Sequence, residues 1–292
     1  MTTCSQHQPH PIRKPFRKSL LLPVLFVAML SQLSLPLPAQ TPAAPDPTQQ
    51  EQLSPLPTQE KATIIGMGYA SILDTYLSQE KYIGSDLRII SQKRKPWRQF
   101  MQTFINEGTF SFVSNRADNN DEIGGMYHFS YHLRRFWQLT PTLSLEAGGG
   151  IGAQIGALYN TRNSNNPAQA YASVQLLPSA AVTKQVQLLR RTSYLRYELS
   201  IPLAGLMFSP NYGQSYYEIF SRGNYDHNIV PTTIAATPSL RHMLTFDIPL
   251  SRRKPQSMLR IGYLGDYQQA KVNNLKQHHI SHLLVLGWTI TR

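Results

Sequence analysis

The chain has 292 residues, with 28 Lys plus Arg against 16 Asp plus Glu for a formal charge of +12, one Cys and 15 Tyr. Charged residues make up only 15%, hydrophobic ones 41% and aromatic ones 10%, a balance that excludes a disordered chain and fits an ordinary cytosolic helical protein poorly.

Residues 1–39 carry Arg13, Lys14, Arg17 and Lys18 with no acidic residue, then an apolar run from Leu20 to Leu30, then Leu35-Pro36-Leu37-Pro38-Ala39. This reads as a secretory signal peptide cut after Ala39. Ser31, Gln32 and the prolines stop the run short of the roughly 20 apolar residues that span a bilayer. Removing the leader takes away Cys4, and with it any disulfide, cysteine nucleophile or thiolate metal site in the mature protein. Residues 40–61 are rich in Pro and Gln and read as a disordered, semi-rigid tether. A domain over 62–292 follows.

Within that domain the dominant period is two. Less regular strand candidates at 62–71, 84–93 and 99–113 come first. The stretch 123–137 then puts Ile123, Gly125, Tyr127, Phe129, Tyr131, Leu133 and Trp137 on one parity and His128, Ser130, His132 and Arg134 on the other, a sorting that only a strand produces. The stretch 143–159 repeats it, with Leu145, Ile151, Ile155 and Tyr159 opposite Glu146, Gln154 and four glycines. Further strands are expected at 168–187, 195–203, 240–250 and 257–274, and the last one carries Leu284, Leu286, Trp288 and Ile290 on one face. These make ten antiparallel strands. Short connections at 93–97, 140–141, 189–192 and 252–256 alternate with long polar ones at 115–121, 160–167 and 208–236, the layout of a transmembrane β-barrel.

A water-soluble sandwich also alternates. Two features favour the barrel. Trp97, Trp137, Tyr197 and Trp288 on the apolar face cluster toward the short turns, as an interfacial girdle does, with Phe112, Tyr159 and Tyr267 toward the loops. The opposite face carries charge in mid-strand, which a dry sandwich core penalises by several kcal/mol per unpaired ion, an order-of-magnitude figure. In a barrel that face lines the lumen, and Arg88, Glu107, Arg134, Glu146, Arg196, Glu198, Arg241, Asp247, Arg260 and Asp266 point inward. Five cations and five carboxylates predict a salt-bridged filling ahead of a selective pore.

Gly150-Ile151-Gly152 superficially resembles a phosphate loop, but period two runs on through Tyr159 and offers no helix N-terminus. His128 and His132, like His278 and His282, are four residues apart, about 13 Å along a strand, and His279 points opposite to His278. No metal site or cofactor is expected. In the 208–236 connection, Asp226-His227 with Ser215 and Ser221 outlines an alternative role as an outer-membrane hydrolase acting on lipid A or peptides. Tyr212, Tyr216, Tyr217 and Tyr225 suit surface binding.

The basic residues Lys93, Arg94, Lys95, Arg135, Arg190, Arg191, Arg252, Arg253 and Lys254 collect at the short turns, a rim suited to anionic headgroups. Outer-membrane lipids and the barrel assembly machinery are therefore the expected partners, beside a surface ligand of unknown identity. An exported chain rarely meets nucleic acid.

The segment GMGYASILDTYLSQEKYIGSDLRI, from Gly66 to Ile89, resembles the opening of a family of small outer-membrane β-barrel proteins of unknown function from Bacteroidetes. The shared pattern is a Gly-Tyr strand, Leu73-Asp74-Thr75-Tyr76-Leu77-Ser78, then Tyr82, Gly84 and Leu87-Arg88. The resemblance extends over 62–292 and implies a location, the outer membrane, rather than a reaction or catalytic residues; the even strand number puts both termini on one side, expected to be the periplasm. The sequence thus predicts a non-enzymatic barrel with a structural, surface-binding or narrow transport role.

Overall fold

The computed structural model describes residues 59–188, 191–251 and 256–292. The leader, most of the tether and four of the basic residues (Arg190, Arg252, Arg253 and Lys254) lie outside them. Glu60 and Lys61, read as the end of the tether, open the first strand.

The long strands β1 (Glu60–Asp74), β2 (Tyr82–Trp97), β3 (Phe100–Asn115), β4 (Asp121–Thr140) and β5 (Leu143–Asn160) pair in sequence order. The strands β12 (Ser257–Val272) and β13 (Leu275–Thr291) complete the wall, and β13 pairs with β1 over its full length, from Glu60 opposite Thr291 to Asp74 opposite Gln277. The sheet therefore closes on itself. Between β5 and β12 three chain passages are each broken in two: β6 (Ala168–Leu176) with β7 (Ser179–Leu188), β8 (Arg191–Ser200) with β9 (Ala204–Phe208), and β10 (Ile229–Thr233) with β11 (Leu240–Pro249). Counted as passages, the wall is a closed antiparallel barrel of ten strands.

The breaks have a chemical cause. Pro178, Pro202 and Pro238 sit in the three gaps, and proline cannot donate to a ladder. Single bonds from Leu177 N to Gly150 O, Ile201 N to Pro178 O and Leu203 N to Leu176 O carry the wall across. Leu177 turns into the lumen and covers Gly152, where a Cβ would lie 2.7 Å from its Cδ1. Past the breaks pairing thins. β9 meets β6 only from Ser173 opposite Met207 to Leu176 opposite Ala204, and β10 has β9 as its ladder partner while Lys271 N donates to Ala236 O.

The start of β1 and the end of β13 lie at one end of the barrel, joined by Gln59 N to Arg292 O, with the short turns. The first of these is at 98–99 instead of 93–97: β2 runs on to Trp97, and Arg98 takes the turn with φ 54. The other end carries the longer loops, except that β12 and β13 join through Asn273 and Asn274, both at positive φ, the two-residue hairpin geometry suited to Asn. The outward parity leaves Ile65, Met67, Ile89, Phe110, Ile151, Ile155, Leu284 and Leu286 exposed. An apolar band on the outside and ionised side chains inside is the inverse of a water-soluble fold.

Candidate functional site

The inward parity carries both apolar and ionic side chains. Nearest the short turns, Arg260 holds Asp247 with Nε to Oδ1 at 2.7 Å and Glu60 with Nη2 to Oε1 at 2.5 Å. Arg196 grips Glu146 bidentately at 2.8 and 2.9 Å and donates from Nε to Glu198 at 2.7 Å. Arg134 reaches Glu198 at 3.4 Å and Ser179 at 2.9 Å. Arg94 joins Glu60 at 2.5 Å and also contacts Glu146, and Gln92 links Arg260 to Glu198. Four arginines thus meet four carboxylates across the lumen, which an enclosed ion set needs in order to offset desolvation.

A layer of Ile64, Ile90, Ile105, Met243, Leu264 and Leu283 lies next. Beyond it Arg88 contacts Glu107 at 2.8 Å, Asp266 at 2.5 Å and Ser281 at 3.0 Å, while Arg241 contacts Glu107 and reaches Asp266 at 3.3 Å. Asp86 completes this group, accepting from Arg88 and Ser111, with His279 Nε2 3.8 Å away.

All ten residues expected in the lumen point there, and they form two clusters. The alternation reading omitted Glu60, Asp86 and Arg94. Asp86, Arg88, Ile90, Gln92 and Arg94 share one parity of β2, a signal present in the sequence. Arg94 is therefore not part of the basic rim: its strand continues past residue 93, and two buried carboxylates draw the guanidinium inside. Lys93, Lys95 and Arg135 do face outward, Arg135 over the Trp137 ring at 5.5 Å, and Arg191 donates to Pro249 O. Trp97, Trp137, Tyr197 and Trp288 are outward and exposed.

His128, His132 and His279 face inward, whereas His278 and His282 face outward, and Tyr69 stacks on His282 at 5.1 Å. Among the described residues no group of three His, Asp or Glu is gathered as a metal ion requires.

At the long-loop end, a segment over 209–228 holds a short helix, α1 (Tyr216–Phe220). Ser215 and Glu218 cap it reciprocally, the pattern of a capping box. The Ser215 backbone N–H and hydroxyl hold the Glu218 carboxyl below its ordinary value. Tyr216 pins the helix to β6, donating to Gln169 Oε1 at 2.9 Å and accepting from Ala170 N at 2.7 Å. Tyr76, whose phenol burial raises to about 12 with Asp74 and Glu218 nearby, stays protonated and donates to Gln214 O. Asn228 and Asn273 tie the base of the loop to Gln214 and Ser209. The result is an ordered platform whose Tyr212, Tyr217, Phe220 and Tyr225 are exposed, Tyr212 at 71%. Tyr216 is its anchor instead of a contact residue.

Asp226 and His227 do touch, but their side chains are 69% and 83% exposed, and the Ser215 hydroxyl is engaged in the cap with Glu218. An exposed pair of this kind lacks the water-excluded setting that makes a nucleophile and base effective.

Within the lumen a cavity of about 130 Å³ lies above the lower ionic cluster, bordered by Arg134, Glu198, Met126, Gln154, Met207 and Arg241 among others. That is room for one small molecule or a few waters.

Residues 21–291 match the family described as "Protein of unknown function (DUF3316)". No curated protein matches the chain. Among solved structures, the chain is similar to the translocator domain of the autotransporter NalP from Neisseria meningitidis, at 9% identity and TM-score 0.37, covering 80% of this chain and 88% of that one. It is also similar to the transport unit of the autotransporter AIDA-I from Escherichia coli, at 10% identity and TM-score 0.38, covering 85% and 93%. The β domain of the Bordetella autotransporter BrkA shares 10% identity at TM-score 0.36, over 81% and 100%. These likenesses concern architecture alone.

Proposed function

We propose, from the premise that this chain belongs to the family "Protein of unknown function (DUF3316)", that it is a sealed, non-enzymatic outer-membrane barrel that works by binding at its loop end. The family brings no activity, so the reading rests on this chain's own geometry. The observation that carries it is the platform over 209–228, pinned by Tyr216, Gln214 and Asn228 and presenting exposed aromatic side chains. Exposed Tyr and Phe on an already ordered loop supply contact area at low entropic cost.

Location follows from the outward apolar band and its girdle of Trp97, Trp137 and Trp288. The start of β1 and the end of β13 share the short-turn end, which in this reading faces the periplasm. There Lys61, Lys93, Lys95, Arg98 and Arg135 meet the anionic headgroups of the inner leaflet, at about 1 kcal/mol per cation near the surface. Barrel assembly machinery would insert the chain.

Intact cells displaying the protein test the proposal. A protease cutting within 209–228 from outside, and a panel of glycans and peptides bound by wild type but lost in the Tyr212→Ala, Tyr217→Ala, Phe220→Ala triple variant, is the expected result. Binding unchanged in that variant, or a loop reachable only from the periplasm, contradicts it.

A further inference from the structure

On the outer wall beside β9 lies a groove of about 380 Å³, bordered by Tyr127, Phe129, Ile155, Leu206, Phe208 and Ile229, with no charged residue along it. Its volume is in the range of roughly 300–1,000 Å³ usual for small-molecule sites. The groove and the lumen cavity share Gln154, Ala172, Ser173 and Met207 as borders. One thickness of wall separates them, at the place where the ladder between β6 and β9 ends at Ser173 opposite Met207.

Polar capacity is left over on the lumen side. Gln154 Nε2 donates to Met126 Sδ at 3.0 Å and Gln277 Nε2 to Met207 Sδ at 3.8 Å, and a thioether is a weak acceptor. His279 Nε2, on a side chain only 10% exposed, has no hydrogen-bond partner among the described residues. All three residues border the cavity, and buried polar groups without good partners gain from a hydrogen-bonding ligand. Charge narrows its chemistry. Arg134 and Arg241 already hold carboxylates, and Asp266 already accepts from Arg88, Arg241 and Gln268, so a charged head of either sign finds no free counterion there.

We infer that the groove and cavity form one binding site for an uncharged, single-tailed amphiphile drawn from the surrounding membrane. The hydrocarbon tail lies in the groove, and a hydroxyl or amide head enters past the end of the β6–β9 ladder, beyond the Ser173–Met207 pair, to the amides of Gln154 and Gln277. The site is reached from the side, through the weakened stretch of wall, and is independent of the loop platform.

The test uses the full chain in phosphatidylcholine vesicles, with dodecanol carrying a terminal diazirine as photoprobe. Saturable labelling confined to the β5, β6 and β9 peptides is expected, competed by plain dodecanol but not by dodecyl sulfonate. Gln154→Leu with Gln277→Leu weakens competition by the alcohol on the order of tenfold, as loss of a good head contact does, while leaving dodecane unaffected. Ala172→Trp, on the outward face of β6 opposite Ile155, fills the groove and abolishes the labelling; if it does not fold, the glutamine pair carries the decision. Labelling that is unsaturable and even around the outer wall overturns the inference, as does equal competition by the sulfonate or an unchanged response in the glutamine pair.

Discussion

The barrel half beside the short turns and the half beside the long loops are made from the same ten chain passages, yet they are finished differently. In the first half every neighbour is ladder-paired, and four arginines and four carboxylates tie facing strands together across the lumen. In the second, three passages break, pairing between β6 and β9 shrinks, a cavity opens beside the ionic cluster, and that cluster has two arginines against Asp86, Glu107 and Asp266. Wall continuity and lumen cross-linking go together. In the function proposed above, the cross-linked half is the seal, and the less fully paired half, under the loop platform, is where a ligand is met.

The largest effect is expected from cutting the rigid half. Arg260→Met leaves Asp247 and Glu60 enclosed without their shared partner, and should cost roughly 3–5 kcal/mol in urea unfolding of vesicle-inserted protein. Arg241→Met in the looser half removes a side chain that is 20% exposed, while Arg88 still holds Glu107 and Asp266. Its cost should be about 1–3 kcal/mol. Equal losses at the two sites would erase the distinction between the halves.

A finer cut falls on the platform. Tyr216→Phe loses the bonds to Gln169 and Ala170, worth about 0.5–1.5 kcal/mol, and should raise protease cleavage within 209–228 while urea unfolding of the wall stays nearly unchanged. The smallest effect concerns acid. The Glu218 carboxyl is lowered by the Ser215 cap, so the cap contributes fully above the ordinary carboxylate range and is lost as pH falls through the lowered value. Protease susceptibility of the loop should rise only on acidification, and Glu218→Gln should remove that dependence.

Much of the first half was legible from alternation. Parity alone assigned Arg134, Glu146, Arg196, Glu198, Asp247 and Arg260 to one interior, since a strand sends every second side chain the same way. Arg94 escapes such a reading because a basic run beside Pro96 looks like a turn, and only carboxylates supplied by β1 and β5 draw it inside. The second half was less legible. Pro178 and Pro202 announced weak points, but the alternation also slips by one residue between Ser200 and Gly205, both lumenal by their partners Ser179 and Gln175, and a slip of that kind is set by pairing across the sheet. The helix has a local sign in the sequence, Ser215 three residues before Glu218, the spacing of a capping box. The groove at Ser173 and Met207 joins β6 to β9 across more than 30 residues of chain, a proximity that no periodicity reports.

Single-channel recording on the purified chain in a planar bilayer bears most directly on the sealed lumen. The account predicts a silent wild type, and discrete current steps once Arg196→Ala and Glu146→Ala together remove the bidentate pair from the lower cluster. Steady, discrete openings in the wild type would contradict it.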